Sequence, residues 1–548
     1  MEEIEISENS KPMDSLLFKK INEINPSSLS FEIRYFEIEE IKEGYIESIL
    51  NPYKKEDILI ESIISTPSLK SIKRYAYYKC DYKVYYDKDS DIKDKAEPLN
   101  KSHFLISYRP QELGIFHLKV KVYIKSILKQ ELDYNFSVEN KSFSKGLIKV
   151  LDNHFIYSNT KETFIPVGEN VAWYSNRIIR SFEYDEIFKR LREVGANYVR
   201  IWLRGNNFSL HMGEDSSAIN FTVRMAELER LDRILNLAKD LGIYINLCLL
   251  NHGQFSTKIN PEWERNSYKE ILDKPEDFFK REDVKDVYKD ELRYIISRYS
   301  EYDSIMSYEL FNEVDWTDSF DKDIIYSWQK EMSEYLKTLD YNDRLITTSF
   351  MDNNHSSGVF DLDSIDYHTI HSYAYNPKEN IRSLIPLNNQ NKPLIIEEWG
   401  VDWRSGEKEY KIDKDGLILK GAIYASIFKN YSSVMPWWWD SYIDRYDLYH
   451  VFKAPFKIAS MFNLDGAKHL KINTNKKDLS GVGIDTNKNI YIYLYNNQTS
   501  SQMFEGVSID LKNYGSDIRF YDPETGDLIR GDIRNMSFLN ELVIIIDK

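Results

Sequence analysis

Apolar and polar positions alternate along this chain in three different ways, and the changes of rhythm divide it. Between residues 28 and 147 the period is two. Phe31, Ile33 and Tyr35, and later Phe116, Leu118, Val120 and Val122, fall on one side of extended segments, as in half-buried strands. Turn signals recur at Asn51-Pro52, Tyr86–Asp91 and Arg109–Gly114, and helical periodicity is scarce. This predicts a β-sandwich of about 120 residues. From about residue 150 a short apolar run is followed by a 3.6-period segment, again and again. The spacing predicts helices over 183–194, 225–241, 283–299 and 324–338. Gly195 and Gly242 stop the first two, as glycine does at helix ends. In the second, Leu228, Leu231, Ile234, Leu235, Ala238 and Leu241 share one face. Strand candidates are 164–173 (with its loop), 197–203, 243–250, 304–311, 345–350, 366–371, 393–398 and 434–438. Eight such units predict a (β/α)8 TIM barrel. A doubly wound open sheet is the alternative, and no GxGxxG or Walker-type loop supports it. From about residue 466 short strands return (GVGID, IYIYLYN, IRFYD, LVIIID), with a turn at Pro523–Gly526.

The expected organisation is therefore multidomain: a loosely ordered polar segment over 1–25, a β-sandwich over 26–148, a central (β/α)8 barrel over 149–463, and a small C-terminal all-β domain over 464–548. Composition adjusts this picture in a few places. The 72 Lys and Arg stand against 88 Asp and Glu, a net charge of −16, which argues against a nucleic-acid partner. Cys80 and Cys248 fall in different predicted domains, so neither a disulfide framework nor a cysteine metal site is expected. No apolar stretch approaches membrane-spanning length. The acidic start, MEEIEISENSKPMDSLL, has no basic region or apolar core of a secretory signal. A cytoplasmic protein is expected from the chain as it stands, or a secreted one if an upstream signal was removed. All ten tryptophans lie between Trp173 and Trp439, inside the predicted barrel.

The candidate chemistry sits where barrel strands end, because active sites of this fold lie at that face. The apolar run in SIMSYELFNEVDWT (304–317) breaks off at Asn312-Glu313, and PLIIEEWG (393–400) at Glu397-Glu398. Glu313 is expected to close the fourth strand. On the seventh, alternation allows only one of Glu397 and Glu398 to face the barrel axis. Two carboxylates at one barrel mouth are what glycosidic cleavage requires: an acid/base and a second group, about 5–5.5 Å apart when configuration is retained. Burial and the neighbouring carboxylate should raise the pKa of the acid. Asn312 would offer its amide to a sugar hydroxyl. Arg200, inside the apolar strand NYVRIWL, needs an acidic partner, and the catalytic carboxylate would serve. His252, His371 and Tyr373 end the third and sixth strands and are candidates for substrate or carboxylate hydrogen bonds, with the Tyr373 hydroxyl aimed at the nucleophile. Trp437 and Trp439 should share a face and offer a sugar platform. No His/Asp/Glu set has metal-ligand spacing, no cofactor motif is present, and no GxSxG elbow occurs.

These residues resemble a known group. FNE on the fourth strand, EWG on the seventh, the strand-two arginine and HSY on the sixth look like clan A glycoside hydrolases, family 5 cellulases and mannanases in particular. Longer stretches resemble family-5-like proteins that carry an N-terminal β-sandwich and a small C-terminal β domain: PEDFF, LRYIISRYSEYDSIMSYELFNEVDW, DYHTIHSYAY, MPWWWDSYID, FLISYRPQELGIFHLKV and FYDPETG. The resemblance implies that Glu313 is the acid/base and Glu398, directly before Trp399-Gly400, the nucleophile. It also implies that Arg200, Asn312, His371 and Tyr373 support them. The expected activity is a retaining glycoside hydrolase on a β-glucan or β-mannan, with an oligo- or polysaccharide as its partner. A carbohydrate-binding protein with an inactive barrel is the other reading.

Overall fold

A computed structural model describes residues 16–19, 29–33, 50–138, 145–203, 207–210, 224–374, 392–497, 501–511 and 517–548. Most of the expected polar segment, and Tyr35, lie outside them. Within that segment Leu16–Lys19 is a strand, paired antiparallel with Leu29–Ile33.

The barrel strands are β1 (Gly168–Asn170), β2 (Tyr198–Trp202), β3 (Tyr244–Cys248), β4 (Ile305–Glu309), β5 (Leu345–Thr347), β6 (His368–Tyr373), β7 (Leu394–Gly400) and β8 (Val434–Pro436). All are parallel where they pair, β1 to β5 in one run and β6 to β8 in another. Side chains stitch the runs together: Thr347 Oγ1 donates to Tyr367 O at 2.9 Å, and Asn170 Nδ2 to Pro436 O at 3.2 Å. Helices α1 (Glu183–Glu193), α2 (Met225–Leu241), α3 (Glu282–Tyr299) and α4 (Lys322–Leu339) follow β1 to β4. Gly195 and Gly242 adopt positive φ, +85° and +69°, which glycine takes without the clash a Cβ would bring. After β7 come α5 (Gly406–Ile412) and α6 (Leu417–Asn430).

The barrel interior is layered. At its lower end Phe155 and Phe164, from strands 154–157 and 163–164, join Tyr198, Met306, Leu345, Tyr367, Ile395 and Met435 in an apolar plug. Above it lies a polar layer. Ser307 Oγ donates to Asn246 Oδ1 at 2.8 Å, and Tyr198 Oη to Glu397 Oε1 at 3.2 Å.

Two four-stranded antiparallel sheets precede the barrel, in the orders 16–19, 29–33, 94–108, 77–86 and 71–75, 58–65, 114–124, 127–138. Ile60, Ile106, Phe116, Leu118 and Val122 belong to their common core. A six-stranded and a two-stranded sheet follow the barrel, around Ile492, Leu494, Phe504 and Ile544. Among the described residues no helix is long and apolar enough to cross a membrane.

Buried ion pairs bind the first sheets to the barrel. Asp94 accepts from Arg230 Nε on α2 at 2.7 Å and from Ser181 N at 2.9 Å. Lys79 Nζ lies 3.0 Å from Glu229, which shares Arg298 on α3. Arg74 Nη2 lies 3.2 Å from Glu301. Removing one member of such a pair leaves a charge in a dry place. Asp94→Ala should therefore lower the unfolding free energy by about 3 kcal/mol, read from urea denaturation of the full chain. An unchanged midpoint would show that this contact adds nothing.

Candidate active site

Arg200 is the hub of the site. It points into the barrel from β2, is fully buried, and stacks beside Trp202. Its Nε and Nη2 donate to the two oxygens of Glu309, both at 2.7 Å, the fork geometry in which guanidinium binds carboxylate most firmly. Nη1 donates to Glu398 Oε1 at 2.8 Å, and Nη2 also to Asn312 Oδ1 at 2.7 Å. Glu309 ends β4 and was missed from the sequence. A charged residue inside the apolar run IMSYE was the available signal.

Glu313 does not close that strand. It lies four residues beyond, in left-handed conformation at φ +47°, ψ 52°. For a residue with a Cβ this costs on the order of 1–3 kcal/mol. Its N–H is held by Ser349 Oγ at 3.1 Å. Asn251 and Asn312 bridge in parallel just above β3 and β4, so the segment before Glu313 is fixed as well.

On β7 the expected alternation fails. Ile370 pairs with Ile396, but His371 pairs with Glu398, so one residue of β7 is skipped. A second shift on the β8 side brackets the same place. This bulge resets the facing of the side chains. Glu397 and Glu398 both turn inward: Glu397 Oε2 lies 3.6 Å from Arg200 Nε.

Glu313 and Glu398 line one cavity of about 600 Å³. One oxygen of each, with His371 Nδ1 between them, lies within 4.8 Å of the others. His371 Nδ1 is 2.7 Å from Glu313 Oε1 and 3.5 Å from Glu398 Oε2. Tyr373 Oη donates to Glu398 Oε2 at 2.6 Å. His252 Nδ1 is 3.4 Å from Glu313 Oε2. Although the sequence has no metal spacing, Glu313, His371 and Glu398 offer donor atoms close enough together to hold a metal ion.

Environment separates the two carboxyls. Burial, then Asp315, push Glu313 up to about 8, with Arg200 pulling the other way. Burial also raises Glu398, but His371, Arg200 and Tyr373 all oppose it. Burial, then Glu309, push Glu397 upward, toward the neutral acid. Burial lowers His371.

Among the other expected site residues, Arg200, His252, His371 and Tyr373 converge on the carboxyls. Asn312 is fully buried outside the cavity lining, its oxygen used by Arg200. Trp437 lines the cavity, as do Trp173, Trp202, Trp316, Trp403 and Trp438. Trp439 does not. It is 1 % exposed and packs on Trp173, with ring centres 4.9 Å apart. The strand stops at Pro436 and Trp439 opens a π-helical turn, so alternation no longer applies there.

Glu309 and Glu397 should differ in what their removal does. Glu309→Gln breaks the forked pair and should cost about 3 kcal/mol of unfolding free energy. Glu397→Gln mimics the neutral acid and should cost about 1 kcal/mol or less. Urea titrations of both variants would test this, and the reverse order would move the buried charge to Glu397.

The family model for cellulase, glycosyl hydrolase family 5, matches residues 157–442. "Mannan endo-1,4-beta-mannosidase 4" of Solanum lycopersicum is 24% identical over 333 residues, which cover 53% of this chain and 76% of that protein. "Probable mannan endo-1,4-beta-mannosidase F" of Aspergillus flavus is 24% identical over 302 residues, covering 48% of this chain and 62% of that one. The match thus spans less than two thirds of the Aspergillus flavus relative. A crystal structure from Bacteroides vulgatus shares the fold over 95% of this chain and 99% of its own, with a TM-score of 0.58 and 12% identity. The family match takes in more than half of the 548 residues, and the chain belongs to glycosyl hydrolase family 5.

Proposed function

We propose that the protein is a retaining glycoside hydrolase that cleaves β-linked mannan or glucan by double displacement. The supporting observation is the carboxyl pair: Glu313 and Glu398 face each other across one cavity, with oxygens within 4.8 Å. That is near the spacing of retaining enzymes, about 5–5.5 Å, and short of the roughly 6.5–9.5 Å that leaves room for an inverting water. Glu398 is the nucleophile. Arg200 and Tyr373 hold its two oxygens, so its charge is stabilised and its orientation set. Glu313 is the acid, and its raised pKa keeps the proton available near neutrality.

In the first step Glu398 bonds to the anomeric carbon, the bond to the leaving oxygen breaks, and that oxygen takes the Glu313 proton. In the second, Glu313 removes a proton from water, the water oxygen attacks the anomeric carbon, and Glu398 departs as carboxylate. Trp437 and Trp438 on the cavity wall provide apolar faces for sugar rings. The names of the two curated relatives favour mannan. We also read the chain as a β-sandwich over 26–148, the barrel over 149–463 and a C-terminal β domain over 464–548, with the outer two packing on the barrel.

The test is a panel of aryl β-glycosides and β-1,4-manno- and gluco-oligosaccharides. The β-anomer should appear first by NMR, and Glu398→Gln should lose activity by at least about 10³-fold. An α-anomer first, or undiminished turnover by Glu398→Gln, would sink the mechanism. Binding without turnover by the unaltered protein would favour a carbohydrate-binding role.

The pH profile is a separate check. The acid works protonated, and protonation is lost as pH rises through its pKa. For the unaltered protein kcat/KM should therefore fall above about pH 8. Glu313→Gln should abolish that limb, sparing substrates whose leaving group needs no proton.

A further inference from the structure

Two buried N–H groups of the cavity wall, on neighbouring strands, have no hydrogen-bond partner among the described residues. Asn251 follows β3, is 3 % exposed, and lines the cavity. It forms a reciprocal cap with Gln254. Its N–H donates to Gln254 Oε1 at 3.1 Å, and its backbone oxygen accepts from the Gln254 N–H at 3.2 Å. Nδ2 is buried and has no hydrogen-bond partner among the described residues. Trp202, the last residue of β2, also lines the cavity, and its buried Nε1 likewise has no partner among them. The two stand at the ends of neighbouring strands, since Trp202 pairs with Cys248, three residues before Asn251.

Buried N–H groups are nearly always paired, and an unpaired one weakens the fold. Two on one wall of one cavity are explained together if a ligand supplies the acceptors. The acceptor chemistry is narrow. Arg404 is the one Lys or Arg in the described lining, and Asp402 holds it, with Nε to Oδ1 at 3.0 Å. The wall therefore suits neutral hydroxyl or ether oxygens and not a uronate carboxylate.

We propose that Asn251 Nδ2 and Trp202 Nε1 form a specificity subsite that donates to oxygens of one neutral sugar ring of the substrate. The subsite rests on the glycosidase reading above. It adds two polar contacts that the carboxyl pair and its supporting residues do not contain.

Binding is measured by calorimetry with β-1,4-mannotriose and cellotriose, in full-length protein carrying Glu398→Gln so that turnover does not intervene. Asn251→Asp keeps the shape of the side chain, leaves the backbone contacts to Gln254 in place, and replaces the donor by an acceptor. Trp202→Phe keeps a ring against Trp173 and Trp437 and deletes the N–H. Each should weaken binding of the preferred triose about tenfold.

Unchanged affinity in both variants overturns the subsite while leaving the glycosidase reading intact, provided the unaltered protein hydrolyses its substrates. If the unaltered protein neither binds nor hydrolyses either triose or any aryl glycoside, both readings fall together.

Discussion

One cation, Arg200, sits where the carboxyls of the barrel mouth converge. It is fully buried and reaches Glu309, Glu398 and Glu397 at 2.7, 2.8 and 3.6 Å. A single positive charge cannot neutralise three carboxylates in a dry interior. Glu309 takes the forked contact and Glu398 the third nitrogen. Glu397 is left with Tyr198, Asn246 and the far edge of the guanidinium, and is pushed toward its neutral form. Glu313 has no Arg200 hydrogen bond. Burial, with the negative potential of Asp315 two residues on, pushes Glu313 up to about 8. Glu398 and Glu313 thus differ in their surroundings: Arg200 donates to one and not to the other, and His371 opposes the rise of Glu398.

That division depends on how rigidly Arg200 is held. Below it, polar side chains from β2, β3, β4 and β7 are hydrogen-bonded to one another, and beneath them the apolar plug closes the barrel floor. Outside the barrel, the buried pairs of Asp94, Lys79 and Arg74 fasten the N-terminal sheets to α2, α3 and the segment after α3. These contacts fix the outer faces of the helices that pack on the strands carrying Arg200 and Glu309.

Much of this was legible in the sequence, because period and punctuation are local. The helix over 225–241 is observed with those ends, and all eight strand candidates became strands. Arg200 was legible as a charge in an apolar run, and Tyr373 beside Glu398 as the end of a neighbouring strand. Strict alternation misled twice. It forbade Glu397 from facing inward, and the bulge on β7 reversed that. It paired Trp437 with Trp439, and the chain left the strand at Pro436. Bulges and strand exits follow from how neighbouring strands meet, and no single stretch of residues announces them. Glu309 was not legible as the strand end because the acidic run continues to Glu313, whereas the strand itself ends four residues earlier.

The conformation of Glu313 follows from the same geometry. Had β4 run straight on, alternation from Glu309 would have turned the side chain four residues later to the same inward face, a further two repeats up the barrel axis. The left-handed turn instead brings Glu313 down toward His371 and Glu398, with Ser349 holding its N–H. Strain of this kind persists only where surrounding contacts over-determine it. Here they do, since Asn312 is tied to Arg200 through its oxygen and to the end of β3 through its backbone. The guanidinium that donates to Glu398 therefore also anchors Asn312, the residue from which Glu313 turns inward.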